Sequence, residues 1–343
     1  MRIGLIGAGR IGSFHAAVLA GADGVGELVV ADADPGRAAA LAARVGARAA
    51  SPDAVLMPGA VDAVVITAAT AAHAGLITAA ARAGLPAFCE KPVALDPAAT
   101  LRALREVDAA GTLLQLGFQR RFDAGFLAAR EALRAGRLGR VHTIRTVTSD
   151  PAPPPPEFLP HSGGLIRDCL VHDFDAVRWL TGREVSEVYA RGSAGGAAFF
   201  REAGDVDTAA ALLTLDDGTL VTATATRYNG AGCDVRTELS GERDQWVVGL
   251  DGRTPATSAE PAGPGAPARP WGGFLERFDG AYRAELAHFL RAARGEAPNP
   301  CPGWEGLWAL LVAEACELSR REGRPVRPAE VAERAGLDAP GPR

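Results

Sequence analysis

The opening residues constrain the fold more than any other segment. Arg2 to Ile6 is a short apolar run that breaks into Gly7-Ala8-Gly9-Arg10-Ile11-Gly12 and then into Phe14, Ala17 and Val18 at helical spacing. Strand, G-x-G-x-x-G, helix is the order a dinucleotide site requires. Gly7 permits the tight turn, Gly9 lets backbone approach a pyrophosphate at the helix N-terminus, and Gly12 lets helix and strand pack closely. Arg10 and Ile11 belong to the same loop. A second strand, Glu27 to Ala31, ends in Asp32, at the separation expected for an acid that binds the adenosine ribose hydroxyls. That carboxylate would repel a 2′-phosphate, so NAD is expected over NADP, while nearby Arg37 leaves NADP use open. The alternative is that Asp32 and Asp34 are only solvated turn residues before Pro35.

The alternation continues for some 120 residues. Helical patterns at Arg37 to Val45, after Pro52, at Ala72 to Ala83 and at Pro97 to Ala110 are separated by strands. These are a short one near Ala47, then Val61 to Thr67, Pro86 to Cys89 and Leu113 to Phe118. Strands that read as unbroken apolar runs between helices imply a parallel, doubly wound sheet covered on both faces. Ligands of such sheets bind beyond the carboxyl ends of the strands. Thr67 to Ala72 closes one strand, and Thr67 is a cofactor candidate by position alone. Glu90-Lys91-Pro92 closes the next, which makes Glu90 and Lys91 cofactor candidates as well.

Lys91 is the only lysine among 36 basic residues, in a chain rich in Ala, Gly and Pro that elsewhere uses arginine for positive charge. An ε-amine is compact and its pKa moves with desolvation, whereas a guanidinium stays protonated. Lys91 is therefore a candidate for chemistry that arginine cannot replace, the alternative being a lysine left by accident. Pro92 biases it toward an extended conformation.

At 343 residues, 48% hydrophobic and 22% charged, the chain has the make-up of a globular protein of two domains. A net charge of −5 with scattered arginines offers no footprint for nucleic acid. Five widely spaced cysteines without a C-x-x-C fit buried thiols in a reducing compartment. Six histidines without H-E-x-x-H or clustered spacing give no reason to expect a metal. No secretion signal and no apolar run of membrane-spanning length is seen, so a cytoplasmic protein without membrane association is expected.

The pattern changes at Gln119-Arg120-Arg121-Phe122-Asp123. Beyond it, His142 to Thr148, Thr208 to Leu215, Leu220 to Arg227 and Thr237 to Ser240 alternate polar with apolar residues around turns such as Asp216-Asp217-Gly218. This predicts a mostly antiparallel sheet with one open face, to be covered by helices or a second subunit. The division expected is 1–120, a dinucleotide-binding Rossmann domain, and 121–343, an α+β domain with a large mostly antiparallel sheet for substrate binding and oligomerisation. Asp150 to Pro160 reads as a stiff extended loop that either flanks the substrate mouth or crosses the surface. Ser258 to Pro270 reads as a mobile surface loop.

Between these loops, a helical pattern from Gly163 to Leu180, stopped near Thr181-Gly182, sets Asp168 and His172 four residues apart and His172 and Asp175 three apart. A carboxylate beside an imidazole fixes its tautomer and raises its pKa, as a general base near neutral pH requires. An ordinary surface pair has the same spacing.

Together, the glycine loop, Glu90-Lys91-Pro92, Gly117-Phe118-Gln119-Arg120-Arg121-Phe122-Asp123 and the Asp168/His172/Asp175 helix resemble the Gfo/Idh/MocA family of nicotinamide-dependent oxidoreductases, and within it the inositol 2-dehydrogenases. The resemblance spans most of the chain, to the helical segment from Phe274, where a helix is expected over Leu275 to Leu290. It implies that Lys91, Asp168 and His172 form a catalytic triad, that Asp175 and Arg121 bind substrate hydroxyls, and that Tyr282 lines the substrate pocket. The Pro-rich segment Pro151 to Pro156 and the loop before Trp271 depart from the pattern of a standard inositol dehydrogenase.

The activity implied is NAD-dependent oxidation of a secondary hydroxyl on a cyclic polyol, with myo-inositol the leading substrate. His172 would take the hydroxyl proton, Asp168 would orient the ring, Lys91 would donate to the oxygen, and Asp175 would accept from a neighbouring hydroxyl. The rivals are a keto-sugar or amino-inositol reductase of the same family, an NAD-dependent glycosidase, and a non-enzymatic NAD-binding regulator. A homo-oligomer, dimer or tetramer, through the second sheet is expected.

Overall fold

The computed structural model describes residues 1–337 and divides them into two compact units. One comprises Met1–Phe122 and Gly280–Leu307; the other comprises Asp123–Asp279 and the chain from Trp308. The structure departs from the contiguous division at 120/121 because residues 280–307 group with the first unit. The reason is the apolar stripe of the helix Asp279–Ala293, whose Leu286, Phe289 and Leu290 share a core with Ile3, Leu5, Leu19 and Phe88.

In the first unit, β1 (Arg2–Ile6), β2 (Glu27–Ala31), β3 (Arg48–Ala50), β4 (Ala63–Ile66), β5 (Ala87–Glu90) and β6 (Leu114–Gly117) form a parallel sheet. Their order, β3-β2-β1-β4-β5-β6, reverses between β1 and β4, as in a doubly wound fold. β4 is buried at every residue, as a strand covered on both faces must be. Two helix starts in this unit are set by acids: Asp34 accepts from Gly36 N and Arg37 N at the head of Pro35–Val45, and Asp96 accepts from Ala99 N at the head of Pro97–Ala110. Such caps are each worth about 1 kcal/mol. The outer edge of β6 is covered by the segment after residue 298, where Leu116 N donates to Cys301 O and Asn299 Nδ2 to Leu114 O.

In the second unit, β7 (Val141–Ser149), β8 (Val185–Ser193), β9 (Thr208–Leu215), β10 (Leu220–Thr226), β11 (Asp234–Gly241) and β12 (Gln245–Val248) form a sheet in the order β12-β11-β7-β10-β9-β8. All neighbours are antiparallel except β7 and β10. β9 and β10 bury alternate residues, with Asp216-Asp217-Gly218 turning the chain between them. Two strands were not legible in sequence. β8 carries an irregularity between Val185 and Glu187 that breaks its period-2 pattern, and β12 is only four residues long.

Two further expectations are corrected. The segment Asp150 to Pro160 is not extended throughout: a 3₁₀ turn, Pro156–Phe158, leads into a short helix, Leu159–Ser162, prolines being compatible with a helix's first turn. The helix expected over Leu275 to Leu290 breaks at Phe278 into Phe274–Arg277 and Asp279–Ala293, with Asp279 supplying an acid to the new first turn. Among the described residues no helix is long and apolar enough to cross a membrane.

Candidate active site

The glycine loop lies at the carboxyl end of β1, where Gly7 takes φ +116° and its N–H donates to Ala31 O at 2.8 Å. Two of its glycines are required by the chain itself. A Cβ at Gly7 would meet Ala68 N at 2.4 Å, and one at Gly12 would meet Gly7 O at 1.8 Å. Gly9 differs, since a Cβ there would meet nothing within 4 Å. Its smallness serves no internal packing, and it caps the helix Arg10–Ala20, whose N-terminal amides and dipole suit a phosphate. The loop therefore fits a dinucleotide's pyrophosphate.

Asp32, at the end of β2, is fixed through both oxygens: Oδ2 accepts from Ala8 N at 2.6 Å and Oδ1 from Asp34 N at 2.9 Å. A carboxylate held against the glycine loop is an acceptor for ribose hydroxyls and a barrier to a 2′-phosphate. Arg37 is exposed and leans toward Asp34 at 3.6 Å. Thr67 is buried and donates from its hydroxyl to Gly7 O at 2.8 Å, so it braces the loop from behind.

β5 ends at Glu90, and Lys91 follows, partly exposed, with a cis bond to Pro92. Two buried histidines hold this turn, and sequence reasoning missed both. His15, on the helix Arg10–Ala20, donates from Nε2 to Glu90 Oε1 at 2.6 Å. His73 faces Pro92 O through Nδ1 at 2.7 Å and Ala68 O through Nε2 at 2.9 Å, tying the end of β5 to the end of β4. Their signal in the sequence was a histidine on the apolar face of each helix.

Two residues expected at the substrate make contacts within the first unit. Tyr282 is buried, edge-on to Phe14 and His15 at centroid distances of 5.5 and 5.7 Å. Burial, helped by Glu90 and Glu285, holds its hydroxyl well above the usual tyrosine pKa. Arg121 is 4% exposed and donates to Glu305 Oε2 and Pro300 O, both at 3.0 Å. Both sets of contacts fall within the first unit, which takes in residues 280–307.

In the second unit the helix expected from Gly163 starts as a π-turn, Ile166–Leu170, and continues as Val171–Thr181, ended by Gly182 at φ +66°. Such turns recur at functional sites because they re-aim side chains. Asp168 lies inside the π-turn and His172 at the start of the regular helix; both are partly exposed, and His172 Nδ1 is buried. Asp175 is fully buried.

The turn is anchored on several sides. Leu165 N donates to Asp205, Arg167 pairs with Glu314, and Thr148 Oγ1 donates to Asp173 Oδ2 at 2.7 Å. Arg227, at the end of β10, donates to Asp168 Oδ2 at 2.6 Å. It too went unrecognised, although alternation along β10 sets it on the buried side with Val221, Ala223 and Ala225. An arginine at such a position is a signal in itself.

Comparison with known proteins agrees with this architecture. Residues 1–118 match the oxidoreductase family with an NAD-binding Rossmann fold, and residues 126–247 match the GFO/IDH/MocA C-terminal domain. The chain is 41% identical to a myo-inositol dehydrogenase of Streptomyces leeuwenhoekii over 96% of its own length and 100% of that protein's. It is 35% identical to a myo-inositol 2-dehydrogenase of Thermotoga maritima over 96% and 99%. Among solved structures, the scyllo-inositol dehydrogenase of Lactobacillus casei with bound NAD(H) and scyllo-inositol superposes with a TM-score of 0.87 at 27% identity, covering 96% of this chain and 99% of that one.

Proposed function

The chain belongs to the Gfo/Idh/MocA family of NAD-binding oxidoreductases, and from that premise we propose that it oxidises a secondary hydroxyl of an inositol with NAD. The observation that carries the reading is Lys91: the chain's one lysine closes β5 on the carboxyl edge of the sheet that bears the glycine loop, the edge at which such sheets bind ligands. NAD, when bound, supplies the hydride acceptor. Gly7, Gly9 and Gly12 would hold its pyrophosphate and Asp32 its adenosine ribose, with Arg10, Ile11, Thr67 and Glu90 completing the cofactor's surroundings.

His172 acts as the general base. Its Nδ1 is buried, so Nε2 is the nitrogen through which a hydroxyl proton is taken. Asp168 stabilises the imidazolium that forms, and Lys91 donates to the hydroxyl oxygen as negative charge develops there. Asp175 is kept as a substrate-orienting candidate, supported by its place three residues beyond His172. Arg121 and Tyr282 are left out of the substrate's contacts.

The open face of the second sheet supports a homo-oligomer. Tyr189, Leu212 and Leu220 are 37%, 46% and 46% exposed on neighbouring strands, with Tyr189 directly opposite Leu212. Apolar side chains grouped on an open sheet face are well suited to a second copy of the chain. We assign the protein to the cytoplasm, where its buried cysteines stay reduced.

The test is NADH formation, followed by absorbance, with NAD or NADP and a panel of inositol isomers, hexoses and amino-sugars. Turnover of myo- or scyllo-inositol with NAD is expected. If every polyol is inert while keto-sugars are reduced by NADH, the dehydrogenase reading fails and the reductase reading replaces it.

A further inference from the structure

Arg227 is 4% exposed, and its guanidinium bridges two carboxylates: Nη2 donates to Asp168 Oδ2 at 2.6 Å and Nη1 to Asp150 Oδ2 at 2.7 Å. The backbone sets this up. β7 and β10 run parallel and in register to Ser149 and Thr226, and Asp150 N then donates to Thr226 O, so Asp150 and Arg227 leave the same end of the sheet together. A buried guanidinium is costly unless paired, so two facing carboxylates are what hold it there. Asp168 stands four residues before His172 along the π-turn and helix, so the charge that Arg227 holds there acts on the imidazole through space.

We propose that Arg227 is a positioning residue: by clamping Asp168 to Asp150 it keeps Asp168 ionised and aimed, and thereby sets the pH at which His172 takes up a proton. The inference rests on the reading of Asp168 and His172 as the proton-transfer pair.

The other charged and titratable groups around the clamp have bonds or positions of their own. Asp205 accepts from Leu165 N and Val206 N, and Asp207 accepts from Gly196 N and Thr208 Oγ1. Asp173 accepts from Thr148 Oγ1 and Arg167 pairs with Glu314, while Cys169 and Asp175 are buried along the same turn and helix. The sign follows from the clamp's three charges. Without Arg227, Asp150 and Asp168 leave a more negative field, which favours the imidazolium, and His172 keeps its proton to higher pH. Without the Asp150 charge, Arg227 acts on Asp168 alone, and His172 releases its proton at lower pH.

The experiment is an NMR titration of the histidines in the full-length protein, with the His172 resonance identified by its loss in His172→Asn. Arg227→Gln should raise the His172 midpoint by about one pH unit. Arg227→Lys, which keeps the charge, should stay closer to the parent, and Asp150→Asn should move the midpoint the other way. An unmoved midpoint in folded Arg227→Gln overturns the proposal. Should that variant not fold, an unmoved or raised midpoint in Asp150→Asn overturns it instead.

Activity then separates this inference from the reading beneath it. The acid limb of kcat/KM for an inositol should follow the NMR midpoint across the variants. If the midpoints move as expected while the limb stays put, or while no polyol reacts, the clamp stands and the assignment of His172 as base fails.

Discussion

At the scale of single residues, the proposed site rests on groups whose chemistry a residue of like charge would not copy. Lys91→Arg keeps the positive charge but replaces a compact ammonium with a planar, bulkier guanidinium. NAD affinity, read by fluorescence titration, should stay near that of the parent, while kcat falls by about 10²- to 10³-fold, as when a transition-state donor is removed. Near-normal turnover in that variant would remove Lys91 from the mechanism. Asp32→Ala should cost about 10- to 100-fold in kcat/KM for NAD, the worth of hydrogen bonds to an ionised group, and should raise the relative rate with NADP. An unchanged NAD-to-NADP ratio would mean that its bonds to Ala8 N and Asp34 N only shape the turn. Both residues were singled out in the sequence as candidates by motif and spacing. His15, His73 and Arg227 were not, since their partners Glu90, Pro92 and Asp168 are 75, 19 and 59 residues away.

At the scale of elements, the glycine loop and the helix that returns to the first unit are the decisive pieces. Gly12→Ala would drive a methyl group to 1.8 Å from Gly7 O, a backbone atom that cannot give way cheaply. Loss of NAD binding is expected; a variant that binds NAD normally would show that the loop can reshape. Phe289 is fully buried in the core shared by β1, β5 and the helix Asp279–Ala293. Phe289→Ala should destabilise the protein by about 3–5 kcal/mol, seen as a lower urea midpoint. If the midpoint holds, residues 280–307 contribute little to the first unit's stability. The regular strands and helices of the first unit were readable because period and caps are local signals, as with Asp34 before Pro35–Val45 and Asp96 before Pro97–Ala110. The π-turn at Asp168 was not, because it replaces one helical hydrogen-bond pattern by another without changing composition.

At the scale of the whole molecule, the open sheet face is the feature to test. Leu212→Glu combined with Leu220→Glu should shift the mass measured by light scattering toward that of one chain, since buried unpaired carboxylates oppose association. If the parent is already monomeric, or the double variant keeps the parent's mass, the face is not the subunit contact. The order of glycines, acid and Val/Ile strands in the first 120 residues by itself determined a doubly wound parallel sheet and its dinucleotide loop, and the alternating runs beyond residue 140 determined a second, mostly antiparallel sheet, because each is written as a local period or motif. Only the tertiary structure decided that residues 280–307 rejoin the first unit, that Tyr282 and Arg121 are buried, and that Arg227 closes on Asp168. Those outcomes depend on which distant surfaces bury one another, and burial pairs residues by shape and charge across separations that no local pattern records.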